Sequence, residues 1–179
     1  MRITEKLITN AIMDLLRERP YNRITVTDIV KRCEINRNTF YYHYADIPDL
    51  IQHLLQERTR ELCRTNRRFR RPLTFVFYLV LVADKYKKIL NNLYHSEMQP
   101  YLEDVIMSVC AHFANRYIHQ SMQEASLSRE DSKLLIRYWS AIINGMFSDW
   151  LKHDMKYDLP KVVKRICFLT AARKTLTTL

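Results

Sequence analysis

Glycine is almost absent from this sequence, because Gly145 is the only one among 179 residues, and there are only five prolines. Leu, Arg, Ile and Lys are plentiful instead, a composition typical of an all-helical protein. Long hydrophobic runs are also missing: the longest strongly apolar run, residues 73–83, is too short to span a bilayer. The charged, amphipathic N-terminus lacks the apolar core of a signal peptide. We therefore expect an all-α protein in the cytoplasm.

Metal-binding and redox motifs are lacking as well. The four cysteines, Cys33, Cys63, Cys110 and Cys167, are far apart and form no C-x-x-C pair, which favours a reducing compartment. The six histidines are equally scattered, and no H-E-x-x-H motif occurs. We expect no structural metal and no cofactor.

The spacing of apolar residues predicts about nine helices. The first lies near residues 4–18, and another begins at about Pro48 and can continue to Arg70. Residues 73–94 include FVFYLVLV, which has strong strand propensity, but the segment continues without a break and is predicted to be helical. A helix with Pro100 near its start and a polar connection at residues 120–128 follow. Ser128 with Asp131 resembles a cap for the next helix, and the last helix begins at about Pro160.

The segment from Ile24 to Leu50 predicts two short helices joined by a tight turn. In the second helix, Phe40 and Tyr44 lie four residues apart and mark a buried face. The opposite face carries Arg37, Asn38, Tyr41 and Tyr42. In the major groove, Arg can pair with guanine, Asn with adenine, and apolar ring edges with the thymine methyl. The pattern predicts a DNA-reading helix, and the alternative is an ordinary helical hairpin with one wet face.

Several linked elements resemble the N-terminal domain of the TetR family of bacterial transcriptional regulators. They are Thr4, Ile8, Ala11, Leu15 and Leu16 in the first helix, then TVTDIV at residues 25–30, TFYYHY at 39–44 and DLI at 49–51. The resemblance implies that Arg37, Asn38 and Tyr41 read bases. It also implies that Thr27, Thr39, Tyr42 and His43 contact phosphates.

Two positions depart from the family pattern. Glu34 stands in the turn where the family usually has glycine, which should cost about 1 kcal/mol or change the turn. Ile47 and Pro48 stand where the family tends to have a lysine that grips a phosphate, so one backbone contact is expected to be missing. Pro48 itself suits the first turn of a helix, since the N–H that it lacks would have no partner there.

The last two helices resemble the pair with which this family dimerises through a four-helix bundle. The residues expected at that interface are Trp139, Ile142, Gly145, Met146, Val163 and Ile166. Gly145 would let the partner helix approach closely, although close packing within one chain is the alternative. A homodimer can read a palindromic operator whose half-sites lie about 34 to 36 Å apart.

The resemblance implies a DNA-binding domain at residues 1–50 and a helical regulatory and dimerisation domain at 51–179. The second domain commonly holds a small-molecule effector, whose identity here is unknown. The expected function is a dimeric repressor of a palindromic operator. The later region also weakly resembles a subgroup related to a regulator of dihydroxyacetone kinase genes. Control by a protein partner, or a role as an activator, is therefore an alternative.

The net charge of +10 is unevenly distributed. Residues 1–50 are nearly neutral, with eight Lys and Arg against seven Asp and Glu, and the excess lies in two blocks. The first block is Arg58, Arg60, Arg64, Arg67, Arg68, Arg70 and Arg71, and the second is Lys152, Lys156, Lys161, Lys164, Arg165, Arg173 and Lys174. Each block is either a solvated helix face or the source of a positive electrostatic field that raises the affinity for DNA of any sequence.

The sequence offers a basis for two other classes of function. Cys110 with His112, or His119 with Glu124, could form a nucleophile or acid/base pair, but no orienting third group or phosphate-binding loop accompanies them. We do not expect an enzyme. Cys33 could act as a redox sensor, or it could be a small buried residue.

Overall fold

The computed structural model describes residues 3–64, 72–121 and 128–176, and these residues form nine α-helices and one short 3-10 helix without any strand. The α-helices are α1 (Ile3–Glu18), α2 (Val26–Cys33), α3 (Arg37–His43), α4 (Ile47–Cys63), α5 (Pro72–Lys85), α6 (Lys87–Tyr94), α7 (Gln99–Ser121), α8 (Arg129–Lys152) and α9 (Leu159–Leu176). The 3-10 helix is Tyr21–Arg23. The all-α prediction is confirmed.

The chain divides into two compact units. The first comprises Met1–Thr65 and Tyr86–Ile106, and the second comprises Asn66–Lys85 and Met107–Leu179. The first unit therefore contains α1 to α4, α6 and the beginning of α7. In it α1 packs against both α2 and α6. Its most deeply buried side chains are Ile8, Ile12, Leu15, Leu16, Ile29, Phe40, Leu50, Ile51, Leu93 and Leu102.

In the second unit α5 packs against α9, and α8 also contacts α9. Ser128 caps α8 as predicted, because its hydroxyl oxygen accepts a hydrogen bond from the Asp131 N–H at 3.0 Å. At the other end of α8, the Trp150 indole N–H donates to the Tyr157 carbonyl at 2.8 Å and closes the connection to α9.

Two predicted helices differ from those in the structure. α4 ends at Cys63, and residues 65–71, on which the predicted extension to Arg70 falls, lie outside the described part of the chain. The predicted helix over residues 73–94 is interrupted at Tyr86, whose φ of −111° and ψ of 16° separate α5 from α6. The strand-prone part of this segment is nevertheless helical. Burial of Val76, Leu79 and Ala83 at helical spacing outweighs the local preference of β-branched and aromatic residues for strands.

Candidate nucleic-acid interface

A capping box starts helix α2. The Thr25 hydroxyl oxygen accepts from the Asp28 N–H at 3.2 Å, and the Asp28 carboxylate accepts from the Thr25 N–H at 2.9 Å. Each residue satisfies a backbone group that the helix itself leaves unpaired. The hydrogen bond from the Thr25 side chain is the main reason that the pKa of Asp28 lies below its usual value. These bonds define where α2 begins.

Ion pairs join α2 to α1. Arg32 makes a two-pronged pair with Glu18, with N–O distances of 2.6 and 2.7 Å, and its hydrogen bonds lower the pKa of that carboxyl. Arg19 lies 3.1 Å from the Asp28 carboxylate. Both pairs are solvent-accessible, so their contribution to stability is small and their effect is mainly on the orientation of α2.

The turn between α2 and α3 closes α2 with a Schellman motif. The Ile35 N–H donates to the Val30 carbonyl at 3.1 Å, and the Glu34 N–H donates to the Lys31 carbonyl at 3.4 Å. Glu34 has a φ of 55° and a ψ of 38°, the left-handed conformation that favours glycine. The turn therefore keeps the geometry that glycine would support, and the backbone of Glu34 carries the strain.

Helix α3 is capped by Asn36 and anchored by Phe40. The Asn36 side-chain oxygen accepts from the Thr39 N–H at 2.7 Å. The Phe40 side chain is 0% exposed and contacts the rings of Tyr41 and Tyr44, with centroid distances of 5.5 and 6.0 Å. Tyr44 is also buried, and burial with nearby carboxylates raises its pKa to about 12. The predicted inward face of α3 is confirmed.

The opposite face of α3 is open to solvent. Arg37 and Asn38 are exposed in its first turn, Tyr41 is 51% exposed and Tyr42 is 75% exposed. This face thus combines a guanidinium, an amide and two phenol rings, groups that can contact base edges or phosphates.

The other predicted phosphate-contacting residues are less accessible. Thr27, the second residue of α2, is half-buried, and the Thr39 hydroxyl donates its hydrogen to the Asn36 side-chain oxygen at 3.0 Å. A phosphate oxygen only accepts hydrogen bonds, so Thr39 must turn its hydroxyl away from Asn36 to donate one to DNA. The His43 side chain is 9% exposed and its Nδ1 lies 3.6 Å from a Glu5 carboxylate oxygen.

Acidic groups occupy the beginning of α4, where the family tends to have lysine. Asp46 is the N-cap, and its carboxylate accepts from the Asp49 N–H at 2.8 Å. The Asp49 carboxylate accepts from the Ala45 N–H at 2.9 Å. Pro48 lies in the first turn, as predicted. These carboxylates stabilise the helix N-terminus and would repel a phosphate.

Two residues that position these helices, Asn36 and Asn92, were not predicted from the sequence. Asn36 is the N-cap of α3, and its position three residues before Thr39 is a signal that N-cap preferences could have recognised. Asn92 bonds to the backbone at Leu16, Arg19 and Tyr21, which are more than seventy residues away in the chain. No local sequence signal could have found these long-range contacts.

Residues predicted at a dimer interface lie on α8 and α9 in the second unit. Gly145 and Ile166 are exposed, Trp139, Ile142 and Met146 are partly exposed, and Val163 is buried. Among the described residues, a Cβ added at Gly145 would meet no atom of another helix within 4 Å, so close packing against them does not explain the glycine. Further large apolar side chains are exposed on the same two helices: Leu134, Tyr138, Val162, Phe168 and Leu169.

The geometry disfavours the two cysteine hypotheses. Cys110 is fully buried, and burial raises its pKa to about 12, so a nucleophilic thiolate does not form there at neutral pH. Burial also raises the pKa of Cys33, whose thiol donates to the Leu7 carbonyl at 3.4 Å. His119 is exposed, and Glu124 lies outside the described residues. None of the described helices is long and apolar enough to cross a membrane.

Of the two basic blocks, only part is described. Arg58 pairs with Glu61 at 2.8 Å, and Arg60 donates to the Gln56 side chain at 3.3 Å, so these arginines have partners on α4 itself. The exposed Lys152, Lys156, Lys161, Lys164 and Arg165 lie around the end of α8 and on α9. The residues from Arg67 to Arg71 lie outside the described part of the chain, as do the side chains of Arg173 and Lys174.

Models of known protein families match two parts of the chain. Residues 8–54 match the family model for bacterial regulatory proteins of the tetR family. Residues 72–171, more than half of the chain, match a model for the C-terminal region of transcriptional regulators of the same family.

Two curated relatives are similar to the N-terminal part of the chain. The HTH-type dhaKLM operon transcriptional activator DhaS of Lactococcus lactis is 33% identical over 64 residues, which are 36% of this chain and 34% of that protein. The uncharacterized HTH-type transcriptional regulator YxbF of Bacillus subtilis is 37% identical over 60 residues, which are 33% of this chain and 16% of that protein. The matches thus span about a third and about a sixth of these relatives.

A solved structure covers almost the whole fold. The dihydroxyacetone kinase operon activator DhaS superimposes with a TM-score of 0.74 over 97% of both chains, at 20% sequence identity. At this identity the likeness concerns the fold alone. Together with the helix-turn-helix geometry of α2 and α3 and the two family models, these findings show that the chain belongs to the TetR family of bacterial transcriptional regulators.

Proposed function

We propose that this chain is a sequence-specific DNA-binding protein whose helix α3 enters the major groove. Arg37, Asn38 and Tyr41 contact base edges, and Thr27, Thr39, Tyr42 and His43 contact phosphates. The observation that carries the proposal is the division of α3 into a buried face around Phe40 and an exposed face with Arg37, Asn38, Tyr41 and Tyr42. A short helix with these two faces can reach base edges while the core holds it in place.

In this proposal the two parts of the chain have different functions. Residues 1–50 read DNA, and residues 51–179 dimerise and respond to an effector. The supporting observation for dimerisation is the exposed apolar surface of α8 and α9, which includes Ile166 together with Leu134 and Phe168. Large contiguous apolar patches on a protein surface mark interaction sites. The interface residues are Trp139, Ile142, Gly145, Met146, Val163 and Ile166.

A dimer of this kind reads a palindrome in the bacterial cytoplasm. Two reading helices related by a two-fold axis contact half-sites about 34 to 36 Å apart, which doubles the number of base contacts. The protein acts as a repressor whose operator affinity a small-molecule effector changes.

A second candidate is transcriptional activation, with a protein partner in place of the effector. It is favoured by similarity to DhaS of Lactococcus lactis, whose name describes it as an activator of the dhaKLM operon. The two candidates differ in one readout. A reporter gene placed behind the selected operator falls in expression when a repressor is supplied and rises when an activator is supplied.

The test of DNA reading is selection of the purified protein against randomised duplex DNA, followed by affinity measurements at increasing salt. We expect a palindromic consensus that is still bound at physiological salt. Recovery of no consensus, with binding that disappears steeply as salt rises, would show that only phosphate attraction is present. Sedimentation of the protein with and without the selected duplex tests whether one dimer binds one palindrome.

A further inference from the structure

Asn92 on helix α6 binds the end of helix α1 through both N–H groups of its side-chain amide. Its two N–H groups donate to the carbonyls of Leu16 at 2.9 Å and Arg19 at 2.7 Å, and its oxygen accepts from the Tyr21 N–H at 2.7 Å. All of these groups belong to the first compact unit.

The three backbone groups that Asn92 binds have no partner in their own helices. The Leu16 carbonyl lies in the last turn of α1, the Arg19 carbonyl follows that helix, and the Tyr21 N–H begins the 3-10 helix. One side chain therefore completes the connection between α1 and α2. Without Asn92, these three polar groups would have to bind water or would be buried without a hydrogen-bond partner, which costs free energy.

A second contact reinforces this attachment. The Tyr21 hydroxyl donates to the Glu97 carboxylate at 3.3 Å, and burial, with Glu97 as the next cause, raises the pKa of Tyr21 to about 12. Around it α6 packs against α1, with Ile89 and Leu93 buried. Residues 92 and 97 thus bind the backbone and the ring of the same short segment.

Further contacts connect this segment to helix α3. Arg19, whose carbonyl Asn92 binds, pairs through its side chain with Asp28 in the first turn of α2. The Schellman motif at Glu34 then joins α2 to α3. The α1–α3 unit (helices α1, α2 and α3) is consequently attached to the other helices of the first compact unit covalently through α4, by the packing of α1 against α6, and by hydrogen bonds to residues 92 and 97.

We propose that Asn92 is a positioning residue that fixes the α1–α3 unit on α6 and thereby restricts the half-site spacing that the dimer accepts. The part concerning spacing rests on the proposed function. Without the bonds from Asn92, the α1–α3 unit keeps its covalent attachment and the packing of α1 against α6, but it is held less firmly in one orientation. Each reading helix then adapts to half-sites that are moved closer together or farther apart.

The test compares Asn92→Ala with Asn91→Ala in the full-length protein. Asn91 is the neighbouring residue on α6, and its side-chain oxygen has no hydrogen-bond partner among the described residues, so both changes remove the same atoms from the same helix. Affinity is measured for the selected operator and for duplexes with the half-sites one and two base pairs closer or farther apart.

We expect Asn92→Ala to reduce the discrimination between spacings by at least about tenfold, because three hydrogen bonds are lost and a single one is worth up to about tenfold in an equilibrium constant. Asn91→Ala should keep the wild-type profile. A merely structural role would lower the affinity for every spacing by the same factor, and that parallel profile would overturn the proposal. If Asn92→Ala does not fold, the exposed Glu97→Ala takes its place and is judged by the same two outcomes.

Amide hydrogen exchange tests the attachment without DNA. We expect the Tyr21 N–H to exchange about tenfold faster in Asn92→Ala than in Asn91→Ala. Equal exchange rates in the two variants would overturn the proposal even if an operator is found. Failure of the wild-type protein to select an operator would instead contradict the proposed function, while faster exchange in Asn92→Ala would still support the attachment.

Discussion

Replacement of Glu34 by glycine should stabilise the protein, because Glu34 adopts the left-handed conformation at the end of α2. This conformation costs a residue with a Cβ about 1 to 2 kcal/mol, and glycine avoids the cost. Glycine also gives the unfolded chain more freedom, which removes about 0.4 to 1 kcal/mol of the gain. The net increase in the free energy of unfolding should be about 0.5 to 1 kcal/mol, or a rise in Tm of about 2 °C for a chain of this size.

The matched control is Glu34→Ala, which removes the same carboxylate but keeps the Cβ. The difference between Gly and Ala therefore isolates the backbone conformation from the loss of a negative charge in the turn before α3. Thermal and urea unfolding, followed by circular dichroism at 222 nm, measures both variants. Equal stability of Glu34→Gly and Glu34→Ala would refute the reasoning, since it would mean that the left-handed backbone at this position carries no strain.

Three further predictions follow from the same structure. Arg37→Ala and Tyr41→Ala should each reduce the free energy of binding to the selected operator by about 1 to 3 kcal/mol and relax the sequence preference. Tyr42→Phe and Thr39→Ala should instead weaken binding to all sequences more evenly. Equal effects of all four changes on specific and random DNA would contradict these assignments. Gly145→Ala should stabilise α8 in the monomer by about 0.5 to 1 kcal/mol yet weaken the dimer, which sedimentation at several concentrations measures, and unchanged dimerisation would argue against close approach there. Because the folded-state pKa of Asp28 is lowered, its contribution to stability is present above the ordinary pKa of 3.8 and is lost as pH falls through the lower folded value. Asp28→Asn should therefore reduce the loss of stability on acidification, and an unchanged pH profile would exclude this role for the capping box.

Local patterns determined much of the fold in advance. The bounds of α1, the cap at Ser128 and the two faces of α3 depend on residues three or four positions apart, which a helix brings together wherever it forms. The predicted inward position of Phe40 was correct for this reason. The family resemblance rested on the same local elements.

Other features depend on competition between local preference and distant packing. The run around Val76 is strand-prone, yet it is helical because its buried face lies at helical spacing. Tyr86 interrupts what the sequence predicts as one helix, and no proline or glycine marks the position. Glu34 takes a strained conformation because the bond from Ile35 to Val30 closes the turn, although glycine would usually be found there.

The sequence alone therefore established the helix content, the family and the composition of the exposed face of α3, since these follow from the order and spacing of neighbouring residues. Only the tertiary structure revealed that His43 faces Glu5 and that Asn92 completes the end of α1. A hydrogen bond between residues 16 and 92 leaves no periodic trace in the chain. It exists because the packing of α6 against α1 brings one amide within reach of backbone groups that their own helices leave unpaired.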